Sequence, residues 1–195
     1  MRKKQYSHLD LQRALEGALY DAAVSMPPKK ALPIITTSKH TFFYTAEAPF
    51  SQFHKCEFSE EGITFCCAEQ YMMYKKATLF DDLEIAEAIL KETYPSKIKA
   101  LGRGVRGFSE EVWHKHRENI VKKGNMLKFG QNENLRECLF ETGETILVEA
   151  SARDHIWGIG LSMKNPAIND EANWKGLNLL GKILTSVRDE LRNRK

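Results

Sequence analysis

A glutamate and a lysine seven residues apart have the types and spacing that could do chemistry. Glu69 and Lys76 lie in the segment Thr64–Ala77, which begins as a short apolar run and continues in a helix-like pattern. Seven helical steps of about 100° return to within about 20° of the start, so both side chains share one face, with Met73 between them. Burying a carboxylate and an amine costs free energy unless they are paired or used. The face is therefore either an active-site floor, or a surface with a solvated glutamate and a lysine whose stem packs on apolar neighbours.

A second group of chemically capable residues lies near the carboxyl end, in Asp154-His-Ile-Trp-Gly-Ile-Gly160. The segment belongs to a long irregular stretch, Ala150–Asn173, and long irregular segments in compact domains are often functional. Glycines let the backbone approach a ligand closely. Trp157 can stack on a flat ring, and Asp154 can accept hydrogen bonds from hydroxyl or amino groups. The alternative is a tryptophan that fills a gap in the core beside a tight turn.

Two further patterns are compatible with ligand binding or with ordinary packing. Gly102-Arg-Gly-Val-Arg-Gly107 is a glycine-punctuated basic segment, and Arg103 and Arg106 can donate to a phosphate. It lacks the strand–turn–helix context of a nucleotide motif, so a solvated loop is equally compatible. Trp113 lies in helical register with apolar residues, which is typical of core packing as well as of a stacking platform.

Composition places few limits on function. The chain has 195 residues, and 29 basic against 26 acidic side chains give a net charge of +3, which permits an anionic ligand or nucleic acid without favouring either. No run of 18 apolar residues occurs, so we expect no membrane span. The basic amino terminus lacks the apolar segment of a secretory signal. The four cysteines and six histidines show no metal-binding spacing, so we expect free thiols, no metal and an intracellular location.

The pattern of apolar residues and breakers predicts a mainly α (α+β) fold: one helical domain with a small β-sheet, plus an N-terminal helix. The helix begins near Ser7 and ends at Pro27-Pro28, and residues 29–40 are predicted to be a linker. We therefore expect an extension at 1–40 and a compact domain at 41–195. The predicted strands are Thr41–Tyr44, Cys56–Phe58, Ile63–Phe65 and Thr145–Glu149. The predicted helices end near Leu79, Lys91, Leu101, Phe129, Thr142 and Arg192.

Short motifs occur one after another along about three quarters of the chain. They are Phe43-Tyr44, Pro49-Phe-Ser-Gln-Phe53, Gly62-x-x-Phe65-x-x-Ala68-Glu69-Gln-Tyr71, Lys76-Ala77, Gly102-Arg103, Trp113, Lys128-Phe129-x-Gln131, Leu135, Leu139, Thr142-Gly143, Leu147-Val-Glu149, Asp154-x-x-Trp157-Gly158-x-Gly160 and Gly176-Leu-Asn178-x-Leu-Gly181. Each is common by itself, but the ordered set resembles the NADAR (YbiA-like) family.

The resemblance implies a mainly helical domain with a small sheet that hydrolyses N-glycosidic bonds. We expect no cofactor. The resemblance implies one of two substrate classes: guanine that carries ADP-ribose, in DNA or as a nucleoside, or phosphorylated ribosylamino-pyrimidine intermediates of riboflavin synthesis. A third alternative is a non-catalytic ADP-ribose-binding module. We favour ADP-ribosylated guanine, with DNA as a further partner and the cytoplasm or nucleus as location.

The resemblance also implies which residues act. Glu69 would be the general acid and base, and Lys76 either a nucleophile that forms an imine or an electrostatic holder. The predicted ligand-binding residues come from the matched motifs: Phe43, Tyr44, Ser51, Phe53, Arg103, Trp113, Asp154, Trp157, Gly158, Gly160 and Asn178. Arg103 would contact a phosphate, and Trp113 or Trp157 would stack on the base. For a DNA substrate, Arg106, Lys122 and Lys123 would extend the positive surface.

Overall fold

The computed structural model describes residues 33–194. The predicted N-terminal helix and the first part of the predicted linker lie outside this range. Within it, the strands are β1 (Ile34–Thr36), β2 (His40–Phe43), β3 (Phe58–Glu60), β4 (Ile63–Phe65) and β5 (Ile146–Glu149). The α-helices are α1 (Ala68–Leu79), α2 (Leu83–Lys91), α3 (Pro95–Arg103), α4 (Glu110–Gln131), α5 (Glu133–Glu141) and α6 (Leu179–Asn193). Two short 3₁₀ turns, Pro166–Asn169 and Glu171–Asn173, precede α6. The fold is mainly helical α+β, as predicted.

The strands form two small sheets. In the first, β2 lies between an antiparallel β1 and a parallel β5, with Thr41 opposite Leu147. The second is the hairpin of β3 and β4, with Phe58 opposite Phe65. Its two turn residues, Glu61 and Gly62, both have positive φ, as a two-residue turn between right-twisted strands requires. The helices α1 to α5 therefore all lie in the connection between β2 and β5.

Local sequence signals explain where the helices begin. Asp82 accepts a hydrogen bond from the amide of Ile85, and Ser109 accepts one from Val112, so each caps a helix amino terminus. Pro95 occupies the first turn of α3, where its missing N–H costs nothing. No helix in residues 33–194 is long and apolar enough to cross a membrane.

Helix α1 lies at the centre of the domain and packs against α2, α3 and α4. Most of it is buried, including Glu69, Gln70 and Lys76. The amide of Gln70 donates to the backbone carbonyls of Ile89 and Glu92, both at 2.9 Å, so this polar residue joins α1 to the end of α2. The two charged residues of the predicted face are thus inside the protein and not on a solvated surface.

The structure corrects three local predictions. The linker predicted for residues 29–40 is wrong at Ile34–Thr36, because these residues pair with β2 as an edge strand. The first hairpin strand is Phe58–Glu60, two residues later than Cys56–Phe58. The basic loop Gly102–Gly107 is helical at its start, because α3 continues through Arg103.

Candidate active site

A cavity of about 500 Å³ lies beside α1. Its walls come from α1, α3, the start of α4, the segment Tyr44–Phe53 and the chain that follows β5. The residues that line it are Tyr44, Thr45, Ala46, Ser51, Gln52, Phe53, Glu69, Met72, Met73, Lys76, Lys99, Gly102, Arg103, Trp113, Glu149, Ser151, Asp154, Trp157 and Leu180. Both residues of the predicted catalytic pair therefore face one cavity.

Glu69 is almost fully enclosed, with 2% of its surface exposed, and its Oε1 has no hydrogen-bond partner within residues 33–194. The pKa of its carboxyl group is raised to about 7: burial is the largest cause, Asp154 adds to the rise, and Lys99 and Arg103 oppose it. Its backbone amide donates to the carbonyl of Gln52 at 2.9 Å. Glu69 is thus a buried carboxyl group of the cavity wall with a pKa near neutrality and one oxygen that has no partner within the described residues.

Lys76 does not pair with Glu69. Its Nζ donates a hydrogen bond of 2.8 Å to the backbone carbonyl of Gly102 and lies 4.2 Å from the ring centroid of Phe108. The ring of Trp113 lies 5.8 Å away. Burial lowers the pKa of Lys76, and Arg103 lowers it further, whereas Glu110 raises it. This combination increases the fraction of neutral, nucleophilic amine.

Gly102 allows α3 to approach α1 closely enough for this contact. A Cβ atom at Gly102 would lie 2.0 Å from the sulfur of Met73, so a larger residue fits only if the Met73 side chain or the helix moves. The absence of a side chain places the Gly102 carbonyl within reach of Lys76.

The chain after β5 carries Asp154 and Trp157 into the cavity. One oxygen of Asp154, Oδ1, accepts hydrogen bonds from the amides of Ile156 at 3.0 Å and Trp157 at 2.7 Å, which fixes the turn. The second oxygen makes no hydrogen bond within the described part of the chain. Trp157 is half-buried and lines the wall, and the guanidinium of Arg117 lies 6.0 Å from its ring.

The segment Pro49–Phe53 forms another wall of the cavity, and side chains of α4 bind it by hydrogen bonds. Lys128 is fully buried, and its Nζ donates to the carbonyls of Pro49 at 2.7 Å and Ser51 at 2.9 Å. Burial lowers the pKa of this lysine to about 8. Asn125 donates to the side chain of Gln52 at 3.2 Å. These bonds fix the wall residues Ser51, Gln52 and Phe53.

Nine of the predicted site residues line the cavity, and their roles remain predictions. They are Tyr44, Ser51, Phe53, Glu69, Lys76, Arg103, Trp113, Asp154 and Trp157. Four others, Phe43, Gly158, Gly160 and Asn178, do not line it.

These four residues support the walls. Phe43 is buried in the core against Phe50, with ring centroids 5.5 Å apart. Asn178 donates to the carbonyl of Leu147 and accepts from the amide of Glu149, so it holds the end of β5. Gly158 and Gly160 shape the turn before α6: a Cβ at Gly158 would lie 2.9 Å from the Glu149 carbonyl oxygen, and Gly160 has φ +68°.

The extended basic surface predicted for DNA is largely neutralised. Arg106 donates to both oxygens of Asp82, at 3.1 and 2.5 Å, and also contacts Glu84. Lys122 and Lys123 form ion pairs with Glu190 and Glu60, respectively. Arg103, by contrast, makes no ion pair within residues 33–194 and lines the cavity. Of the two arginines predicted to bind a phosphate, only Arg103 is therefore available in the cavity.

Sequence reasoning missed two charged residues of the cavity, Lys99 and Glu149. Lys99 precedes Arg103 by four residues, which is the spacing of neighbours on one helix face. The helix was predicted to end near Leu101, before Arg103, so this spacing identifies Lys99 only once the helix is known to continue through Arg103. Glu149 ends β5, and no spacing signal links it to Glu69. Within the part of the chain that the structure describes, no three His, Cys, Asp or Glu side chains form a metal-binding group.

Comparison with known proteins assigns the chain to a family. The model of the NADAR domain matches residues 41–192. The chain belongs to the NADAR domain family. An N-glycosidase of Acanthamoeba polyphaga mimivirus is 43% identical over 165 residues, which cover 79% of this chain and 97% of the viral protein. Protein irg-1 of Caenorhabditis elegans is 41% identical, with 80% of this chain and 81% of that protein aligned.

The fold of the solved relative agrees with this assignment. The NMR structure of the E. coli protein YbiA superimposes with a TM-score of 0.67 at 25% identity, covering 87% of this chain and 95% of YbiA. Several relatives are named N-glycosidases, including YbiA from Shigella boydii. These names confirm the predicted enzyme class, hydrolases that act on N-glycosyl bonds.

Proposed function

We propose that this protein hydrolyses the ribosyl–nitrogen bond of ADP-ribosylated guanine, in DNA or as a nucleoside, and releases ADP-ribose. The observation that carries the proposal is Glu69: a buried carboxyl group with a free oxygen and a pKa of about 7, in a cavity that also holds Lys76 and Arg103. An acid, an amine and an unpaired cation are the groups that an enzyme needs to bind a phosphorylated N-riboside and to hydrolyse its ribosyl–nitrogen bond.

Glu69 supplies the proton transfers. When a ribosyl–nitrogen bond breaks, positive charge builds at the anomeric carbon and negative charge on the leaving base. A protonated carboxyl group can donate to the base or to the ring oxygen, and the resulting carboxylate can then accept a proton from the attacking group. Such assistance is typically worth about 10²–10⁴ in rate. A pKa near neutrality makes both protonation states accessible at working pH.

Lys76 acts in one of two ways. In the first, its neutral amine attacks the anomeric carbon and forms an imine with the opened sugar, which water then hydrolyses. In the second, the ammonium holds the substrate by charge. Burial, which lowers the pKa of Lys76, supports the first role because it favours the neutral amine. The position of Nζ over the ring of Phe108 supports the second role, because an aromatic face attracts an ammonium.

The remaining wall residues would bind the ends of the substrate. Arg103 and Lys99 present positive charge that is not used in ion pairs within residues 33–194, which suits the phosphates of ADP-ribose. Trp113 and Trp157 offer aromatic surfaces on which a flat base could stack. The free oxygen of Asp154 could accept a hydrogen bond from a ribose hydroxyl.

A second candidate substrate is a phosphorylated ribosylamino-pyrimidine. A riboflavin biosynthesis protein of Vibrio vulnificus is 29% identical, although the aligned region is only 35% of that protein. A non-catalytic ADP-ribose-binding module is the third candidate, and the intact pair Glu69 and Lys76 disfavours it.

Two variants test the proposed chemistry. Glu69→Gln keeps the shape of the side chain but cannot transfer the proton, so we expect turnover to fall about 10²–10⁴-fold with ADP-ribose binding preserved. Glu57→Gln is the matched control, because Glu57 is exposed and outside the cavity. An active Glu69→Gln enzyme would reject the acid role. Borohydride reduction during turnover should trap sugar on Lys76; no adduct, together with an active Lys76→Ala variant, would reject the imine.

A further inference from the structure

Glu149 is a cavity residue for which the scheme above has no role. It is the last residue of β5, and the backbone on both sides is fixed. Its amide donates to Oδ1 of Asn178 at 3.1 Å, and its carbonyl accepts from the amide of Ile159 at 3.0 Å. Its carboxyl group lines the cavity and makes no hydrogen bond or ion pair with any residue in 33–194. The strand thus presents a free carboxyl group from a rigid support.

Glu149 and Glu69 share their electrostatic surroundings. The pKa of Glu149 is raised to about 8: burial is the largest cause, Asp154 adds to the rise, and Lys99 opposes it. Asp154 and Lys99 act on the pKa of Glu69 in the same directions. Both carboxyl groups therefore belong to one group of interacting charges in the cavity wall, and the raised pKa of each favours its protonated form relative to a solvated glutamate. Two carboxyl groups that can each hold or release a proton near neutral pH are what a reaction with both an acid step and a base step needs.

An independent observation indicates that this end of the cavity receives a ligand. Glu69 is 2% exposed, and its Oε1 has no partner within the described residues. A buried polar atom without a partner costs free energy, so its natural complement is a donor on a bound molecule. Glu149 lines the same cavity as this atom.

Hydrolysis of a ribosyl–nitrogen bond needs proton transfer at more than one place. The leaving nitrogen gains a proton on one side of the anomeric carbon, while the attacking group loses one on the other side. A single carboxyl group cannot be at both positions at the same moment. Inverting glycosidases divide these tasks between two carboxyl groups that flank the bond.

We propose that Glu149 is a second catalytic carboxyl group of this cavity. Glu149, in place of Glu69, then protonates the leaving nitrogen, and Glu69 accepts the proton of the attacking group. This inference rests on the proposed function. The bond from the anomeric carbon to the base breaks, and its electron pair goes to the nitrogen, which takes the proton of Glu149. The attacking atom, either Nζ of Lys76 or a water oxygen, forms the new bond to that carbon and passes its proton to the Glu69 carboxylate. When the attacking atom is Nζ, the sugar ring opens to an imine, and water then adds to the imine carbon, which releases ADP-ribose and restores the amine of Lys76. Solvent then reprotonates Glu149 and deprotonates Glu69.

The first test is kinetic, on the full chain with ADP-ribosylated guanine. Because the acid form of Glu149 is lost as pH rises, kcat of the wild type should fall on the alkaline side. In Glu149→Gln, kcat should drop about 10²-fold with KM nearly unchanged, and the alkaline fall should disappear. Glu149→Asp should restore part of the activity and the alkaline fall. A Glu149→Gln enzyme with wild-type kcat and pH profile, like the Glu57→Gln control, would overturn the proposal.

The second test does not depend on turnover. Carbon-13 NMR of glutamate-labelled protein should show one carboxyl resonance, missing in Glu149→Gln, that titrates near pH 8 and shifts when ADP-ribose is added. Titration at the ordinary pH of a solvated glutamate would overturn the role of Glu149 even if the enzyme is active. If the wild type cleaves no N-riboside, the proposed function and the catalytic role of Glu149 are both rejected. If the wild type and Glu149→Gln are both active, only the catalytic role of Glu149 is rejected.

Discussion

The buried lysine beneath the cavity wall should make stability depend on pH in a way that can be calculated. Lys128→Met removes the amine that donates to the carbonyls of Pro49 and Ser51. Each buried acceptor left without a partner costs about 2 kcal/mol, so the loss is about 4 kcal/mol when the lysine is neutral. The variant also escapes the cost of burying a charge, and the balance between these two effects changes with pH.

The direction of the pH dependence follows from the lowered pKa of Lys128. The folded state holds the Lys128 proton less tightly than the unfolded state, with a pKa of about 8 against 10.5. The unfolded state therefore binds more protons between these values, and the stability of the wild type increases as pH rises through this window. The charge penalty is about 3 kcal/mol at pH 7 and about 1 kcal/mol at pH 10. We expect Lys128→Met to cost about 1 kcal/mol at pH 7 and about 3 kcal/mol at pH 10.

The assay is denaturant unfolding of wild type and variant at both pH values. Lys115→Met is the control on the same helix, because Lys115 is exposed and makes one surface ion pair with Glu111. It should cost under about 0.5 kcal/mol at either pH. A Lys128→Met cost that does not change with pH, or that stays below about 1 kcal/mol at pH 10, would refute the reasoning. Because Ser51 lies in the cavity wall, KM should rise in this variant as well.

Three further predictions concern the cavity. Folding raises the pKa of Glu69 to about 7, so the protonated carboxyl group contributes stability at pH 5 that is lost by pH 8. Between these pH values, the free energy of unfolding of the wild type should fall by about 2–3 kcal/mol relative to that of Glu69→Gln. The same pH dependence of unfolding free energy in both proteins would contradict this. Gly102→Ala would push a Cβ into Met73 and should lower both Tm and activity, whereas Gly130→Ala, with no atom within 4 Å of its added Cβ, should preserve both. Arg103→Gln should raise KM about tenfold for a phosphorylated substrate and weaken the salt dependence of binding; an unchanged KM would exclude a phosphate contact.

Helical periodicity correctly placed Glu69 and Lys76 in one cavity, because that argument needs only local geometry. It did not predict that Lys76 would bond to Gly102, since the approach of α3 depends on a missing side chain in another helix. The ion pair of Arg106 was likewise not predictable from the sequence, because its partner Asp82 caps a helix more than twenty residues earlier.

The edge strand Ile34–Thr36 was missed for a related reason. Its three residues are all β-branched, which favours a strand, but the run is short and follows Pro33, so only the pairing with β2 establishes it. Glu149 was not recognised as a cavity residue because a glutamate at a strand end is unremarkable in sequence. Its position beside Asp154 arises from the turn that Asp154 itself fixes.

The central claim is that this cavity cleaves a ribosyl–nitrogen bond to release ADP-ribose from guanine. The most direct measurement offers ADP-ribosylated guanine, in DNA and as the nucleoside, beside a phosphorylated ribosylamino-pyrimidine, and quantifies the released sugar product. We predict that wild-type protein releases free ADP-ribose from the guanine substrate and that Glu69→Gln does not. Release of ribose phosphate from the pyrimidine alone would contradict the substrate, and release from neither would contradict the proposed activity.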